Sequence, residues 1–141
     1  MITVNDIIKN ALALGLLEKP DKTTDWKRLA GLLFSPRCMD FCEKHNFPEL
    51  EQLRAVNDED APQHNIFIDK GVVKVDNEDV ILVGDTRGEM VFDDASRLYR
   101  VIVMHGADAF IVARNYAHVR VYNIGNNKVD IHRDKSAVIL R

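Results

Sequence analysis

Two periods divide the chain. Before Asn57 the apolar residues recur at every third or fourth position, and after His64 they recur at every second. The first regime predicts short amphipathic helices. Thr3 or Asn5 can cap a helix carrying Ile7, Ile8, Ala11, Leu12 and Leu14, which Gly15 and Pro20 bring to an end. Thr23 or Thr24 precedes DWKRLAGLLF, with Trp26, Leu29, Leu32 and Leu33 on one side. Ser35-Pro36 opens a third helix, a cap followed by a proline whose missing N–H costs nothing at the first helical position. Cys38, Phe41, Cys42 and His45 share a face of that helix, and Pro48 introduces a last turn or two in ELEQLRAV. Helices this short persist only when packed against something.

The polar run NDEDAPQH, residues 57–64, reads as a connector. Beyond it come short alternating strands: NIFIDKGVVKV, DVILVG, EMVF, RLYRVIVM, DAFIVAR, HVRVYNI, KVDIH and AVIL. Turn residues separate them, among them Gly84-Asp85, Gly106, Asn115 and Gly125-Asn126-Asn127. In a frame of ten, Tyr99, Ala109, Val119, Val129 and Ile139 align, as do Val101, Ile111, Val121 and Ile131. Ten is even, so one parity stays apolar throughout, and Ala109, Ile111, Val119, Val121, Val129 and Ile131 are expected in a single core. The aligned residues are small or β-branched and suit a narrow interior. Two architectures satisfy this repeat: a β-solenoid of stacked parallel coils, or an antiparallel meander or sandwich. Only Gly125-Asn126-Asn127 has hairpin chemistry, which favours the stack. The expected fold is therefore α+β: a helical head over residues 1–56, a connector over 57–64 and a β-repeat domain over 65–141.

Charge adds an asymmetry. Residues 57–95 carry eleven acids against three bases, a net of −8, and residues 96–141 carry eight bases against three acids, a net of +5. The two segments can neutralise each other within the chain or between copies. A membrane span would need about 18 consecutive apolar residues, which the chain lacks. MITVNDIIKN has no features of a secretory signal, and two cysteines make no disulfide framework, so a cytoplasmic location is expected.

Candidate chemistry is thin. Cys38, Cys42 and His45 share a helix face but spread over about 10 Å of its axis, too far for three ligands of one tetrahedral ion. Cys42 and His45 lack an orienting acid, so no nucleophile is assigned. His105, His118 and His132 occupy different positions of the ten-residue frame and should not converge. Asp58-Glu59-Asp60 and Asp76 with Glu78-Asp79 lack the spacing of a calcium loop. Gly84-x3-Gly88 lacks the ending of a phosphate loop. Arg100 and Arg120 align in the frame near Phe110, Tyr116 and Tyr122, a composition seen on single-strand nucleic-acid surfaces. Asp108 with Asp130 is the only candidate acid pair of the last strands for a carbohydrate-active enzyme. No catalytic residue, cofactor or metal is assigned on this reading.

Across SPRCMDFCEKHNFPELEQLR and YAHVRVYNIGNNKVDI the chain resembles bacterial proteins found among prophage and mobile-element genes. That resemblance implies a structural or assembly role, with the chain incorporated into a phage particle as the alternative to a cytoplasmic location, and brings no catalytic residue with it. The outward positions Phe110, Val112, Tyr122, Ile124, Val138 and Leu140 are too apolar for a wet face, and the strand AVILR has an unguarded edge. They predict a homo-oligomer, a dimer or trimer built through the β part. A nucleic-acid-binding accessory protein is the alternative.

Overall fold

The computed structural model describes residues 3–13, 26–34, 42–45 and 47–141. Its two compact units are Met1–His64 and Asn65–Arg141.

In the first unit, α1 (Val4–Ala13) begins on a reciprocal cap. Thr3 Oγ1 accepts from the Asp6 amide at 3.3 Å, and the Asp6 carboxylate accepts from the Thr3 amide at 2.8 Å. Thr3 is thus the capping residue, rather than Asn5. Helix α2 (Trp26–Leu33) buries Trp26, Leu29 and Leu33, and α3 (Leu50–Val56) buries Leu53 and Val56. Residues 42–45 are helical, with Cys42 buried. Leu14, Gly15, Pro20, Thr23, Thr24, Ser35, Pro36, Cys38 and Phe41 lie outside the described residues.

The stretch read as a connector is built into this first unit. Asp58 Oδ1 accepts from the Trp26 indole at 2.9 Å and from the amides of Asp60 and Ala61, the latter opening a 3-10 turn, Ala61–His64. One carboxylate thereby satisfies three donors, which explains an acid at this position better than solvation does.

The second unit is a parallel β-solenoid. Its strands are β1 (Ile66–Ile68), β2 (Gly71–Lys74), β3 (Val80–Val83), β4 (Thr86–Phe92), β5 (Leu98–Met104), β6 (Asp108–Ala113), β7 (His118–Ile124), β8 (Lys128–Arg133) and β9 (Val138–Leu140). Odd strands form one sheet, β1-β3-β5-β7-β9, and even strands the other, β2-β4-β6-β8. Every pairing is parallel, and the chain changes sheet at every turn.

The register gives the coil lengths. Ile66 opposite Ile81 and Gly71 opposite Thr86 make the first advance 15 residues. Val80 opposite Val101 makes the next 21, and Leu98–His118, Asp108–Lys128 and His118–Val138 make the rest 20. The ten-residue frame is therefore half a coil. Gly125-Asn126-Asn127 is no hairpin: it turns the chain from β7 into β8 of the opposite sheet. Gly125 holds φ at 93°, and the amide of Asn127 donates to Asn123 Oδ1 at 3.1 Å while its side chain reaches the Val103 carbonyl one coil earlier at 3.0 Å. Glycine-asparagine chemistry serves a solenoid corner as well as a hairpin, because both need a left-handed residue.

The two sheets enclose one core. Tyr99, Val101, Ala109, Ile111, Val119 and Val121 lie within it, and Val129, Ile131 and Ile139 pack against it while remaining partly exposed. Of the six residues expected in a common core, Ala109, Ile111, Val119 and Val121 lie within it, and Val129 and Ile131 face it from the last coil while partly exposed. Its narrowness shows at Gly88, where an added Cβ would stand 2.5 Å from a Leu82 methyl and 2.8 Å from the Met90 sulfur. Gly88 is thus a packing glycine, not part of a phosphate loop.

Candidate self-association surface

The acidic segment stitches coil to coil. Asp69 Oδ1 accepts from the Asp85 amide, Asp76 Oδ1 from the Val91 amide, and Asn77 and Asp93 bond reciprocally at 2.8 and 3.0 Å. Asp79 accepts from both the amide and the guanidinium of Arg100 at 2.8 Å and from Arg97 at 3.2 Å. Arg114 approaches Asp93 at 3.6 Å. The −8 and +5 segments therefore meet within the chain at least at these pairs. Asp76 and Asp79 act as ladder acceptors at separate places, while Glu78 faces solvent.

Later corners use an Asp-x-Ser turn. Asp94 accepts from the Ser96 amide, the Tyr99 hydroxyl and the Ser96 hydroxyl, each at 2.8 Å, and these bonds hold its carboxyl below the usual carboxylate range. Burial, and then the Asp94 bond, push the Tyr99 hydroxyl up. Asp134 is lowered likewise, first by the Ser136 hydroxyl at 2.7 Å and then by the amides of Ala137, Asn115 and Ser136. Asp94-x-Ser96 and Asp134-x-Ser136 stand two 20-residue coils apart, in the same column of the ten-residue frame, a signal that an alignment of apolar residues alone passes over.

The six outward apolar residues do not form one patch. Phe110 and Val112 lie on β6 in the even sheet, whereas Tyr122, Ile124, Val138 and Leu140 lie on β7 and β9 in the odd one. Phe110 sits between the Arg87 guanidinium, 6.0 Å from its ring, and the His132 ring at 5.0 Å. Ile124 is buried, contrary to the expectation of an outer interface residue: it continues the row Val83–Met104–Ile124, in which every member is dry. Val138 and Leu140 are exposed at 38% and 39%.

Among the described residues, β1 and β2 are the outer strands of the two sheets at one end of the solenoid and β8 and β9 at the other. Ile111 and Val119 are fully buried, but their partners one coil later, Ile131 and Ile139, are only partly so, and both line an open cleft with Val138 and Arg133.

Other candidates stay apart. His105 occupies a corner with φ at 57°, His118 starts β7 beside Leu98 and Val138, and His132 lies on the opposite sheet. Arg100 and Arg120 are neighbours in register, with Arg100 held by Asp79 and Arg120 over the Tyr122 ring at 5.5 Å. Asp108 faces Lys128 across the ladder, and Asp130 faces Phe110, so the two acids stand two residues out of register. Cys42 is buried and His45 exposed. Among the described residues, no three His, Cys, Asp or Glu side chains are grouped to hold a metal. No described helix is long and apolar enough to cross a membrane. Comparison with protein-family models, curated proteins and solved structures finds no significant match to this chain.

Proposed function

We propose that this chain is a non-enzymatic structural or interaction protein that self-associates through its β-repeat part, in the manner of an assembly component of a phage or mobile element. The observation carrying this reading is the set of apolar side chains left exposed on the strands, Val72, Leu98, Val138 and Leu140. Exposed apolar surface of this kind is what association between copies covers. Light scattering of the 141-residue chain across micromolar concentrations tests it. The expected result is a mass above the 16.1 kDa of one chain. A monomer at every concentration overturns it.

A nucleic-acid-binding accessory role is the second reading. It is favoured by the adjacent Arg100 and Arg120 and by Tyr122 beside them, and weakened by the ion pair that engages Arg100. Binding to single-stranded oligonucleotides that falls steeply with added salt would mark it.

A further inference from the structure

We infer that the outer face of the sheet β2-β4-β6-β8 docks on the same face of a second copy of this chain, about a two-fold axis parallel to the strands. The inference rests on the self-association reading and specifies the surface that carries it.

Register fixes which side chains share that face. Strands β4 and β6 bury Gly88, Met90, Ala109 and Ile111, so the residues alternating with these point outward. The first outward row is Val72, Arg87, Asp108 and Lys128, and the second is Lys74, Glu89, Phe110 and Asp130. All of them are partly or fully exposed, Val72 at 64%. Six are charged, three of each sign, and opposite charges stand side by side in the register. Among the described residues, none of these six side chains makes an ion pair or a side-chain hydrogen bond. The Arg87 guanidinium instead lies over the Phe110 ring at 6.0 Å. The corner acids Asp79, Asp93 and Asp94, by contrast, are all engaged within the chain. A balanced set of unengaged charges does not suit a polyanion, which would need one sign. It suits a surface of the same mixed pattern.

Symmetry shows that the pattern matches itself. An axis midway between β4 and β6 exchanges those two strands and exchanges β2 with β8. Arg87 then lies across from the partner's Asp108, and Lys74 from the partner's Asp130. Each contact occurs twice, because the interface is isologous. Val91 meets the partner's Val112, and Glu89 meets the partner's Phe110, over which the partner's Arg87 lies. Other axes set like charges together, which is unfavourable across an interface. Moved onto β4, the axis opposes Arg87 to the partner's Arg87 and Glu89 to the partner's Glu89. Moved onto β6, it opposes Asp108 to the partner's Asp108 and Arg87 to the partner's Lys128. Turned across the strands at the second row, it opposes Lys74, Glu89 and Asp130 each to its own copy. Strands β4 and β6 both have neighbours on either side, so the axis does not depend on either end of the solenoid. Four strands and three outward rows give a face about 20 Å on a side, small for a specific interface, so micromolar or weaker affinity is expected.

The test is sedimentation of the full chain and its charge-reversed variants, from micromolar to millimolar concentration. Arg87→Asp and Asp108→Arg each set like charges across the axis, twice per dimer. Each alone is expected to raise the dimer dissociation constant at least about tenfold. Mixed in equal amounts, the two variants present opposite charges to one another at both contacts, and a heterodimer of about the original affinity is expected. Mixing changes neither chain, so this rescue reads the contact between copies and not the stability of either. Lys74→Asp mixed with Asp130→Lys repeats the test at the second pair, and rescue there supports the inference even if the first variants fail to fold. Weakening without rescue in either mixture overturns it. An oligomer that ignores all four reversals but dissociates on Leu140→Lys, a change on the other sheet, overturns it while leaving self-association standing. A monomer throughout overturns both.

Discussion

The coil built of β6 and β7 and the following one built of β8 and β9 are made of the same residue types but differ in their neighbours, since among the described residues only the former has strands stacked on both sides. Ile111 and Ile131 are the same residue in the same register, as are the β-branched pair Val119 and Ile139. The earlier members are fully buried and the later ones are not. In a solenoid each coil is buried by its neighbours, so a side chain's contribution depends on the next copy of the repeat as much as on its own chemistry.

The sharpest way to break this contrast is to place a charge at equivalent depths. Val121→Asp puts an unpaired carboxylate into a side-chain environment only 5% exposed, and is expected to cost about 4 kcal/mol or more in urea denaturation. Ile139→Asp, at the open coil, is expected to cost the dilute single chain less than half of that, because water reaches the site. Equal losses would mean that the two coils are not different in kind. Truncation gives a milder version: Ile111→Ala should cost about 3 kcal/mol and Ile131→Ala about 1 kcal/mol, compared by thermal unfolding at low concentration. If the second loss grows with protein concentration, association is what buries Ile131.

Gly88→Ala probes the interior from the other side. The added methyl meets Leu82 and Met90, both fully buried, so a loss of about 1–3 kcal/mol is expected from overpacking. No change would mean that the narrow core yields. The smallest effect belongs to the corners. The Asp134 carboxyl is held below its ordinary value in the fold, so its stabilising contribution is full above about pH 4 and is lost as pH falls through the lowered value. Asp134→Asn should therefore lower the neutral-pH melting temperature slightly and flatten its acid limb. An unchanged limb would show that Ser136 and its neighbours hold the corner without the charge.

The β half is legible in the sequence because period two over an even repeat keeps one parity inside, whatever the topology. That ground alone suffices to place Ala109, Ile111, Val119 and Val121 in the core. The outer face is not legible by the same rule. Ile124 and Tyr122 look alike as outward residues of β7, yet Ile124 ends in a dry row and Tyr122 beside an arginine. Nor does alternation reveal that Phe110 and Leu140 lie on different sheets, since the change of sheet at each corner leaves parity untouched. The acids of residues 57–95 register in the sequence as net charge, although Asp58, Asp69, Asp76 and Asp79 serve as hydrogen-bond acceptors for backbone or side-chain donors distant in sequence.

The features that the sequence determined by itself are local and periodic: helices where apolar residues recur at three and four, strands where they alternate, left-handed residues at corners, and one common interior. Each of these arises from the geometry of a single segment. Tertiary structure decided which strand lies beside which, and so whether a ten-residue unit was a whole coil or half of one. It also decided that the glycine-asparagine turn crosses between sheets and that Asp79 meets Arg100 across 21 residues. Those outcomes depend on residues one full coil apart, and side-chain patterning within a strand carries no record of the partner on its other edge.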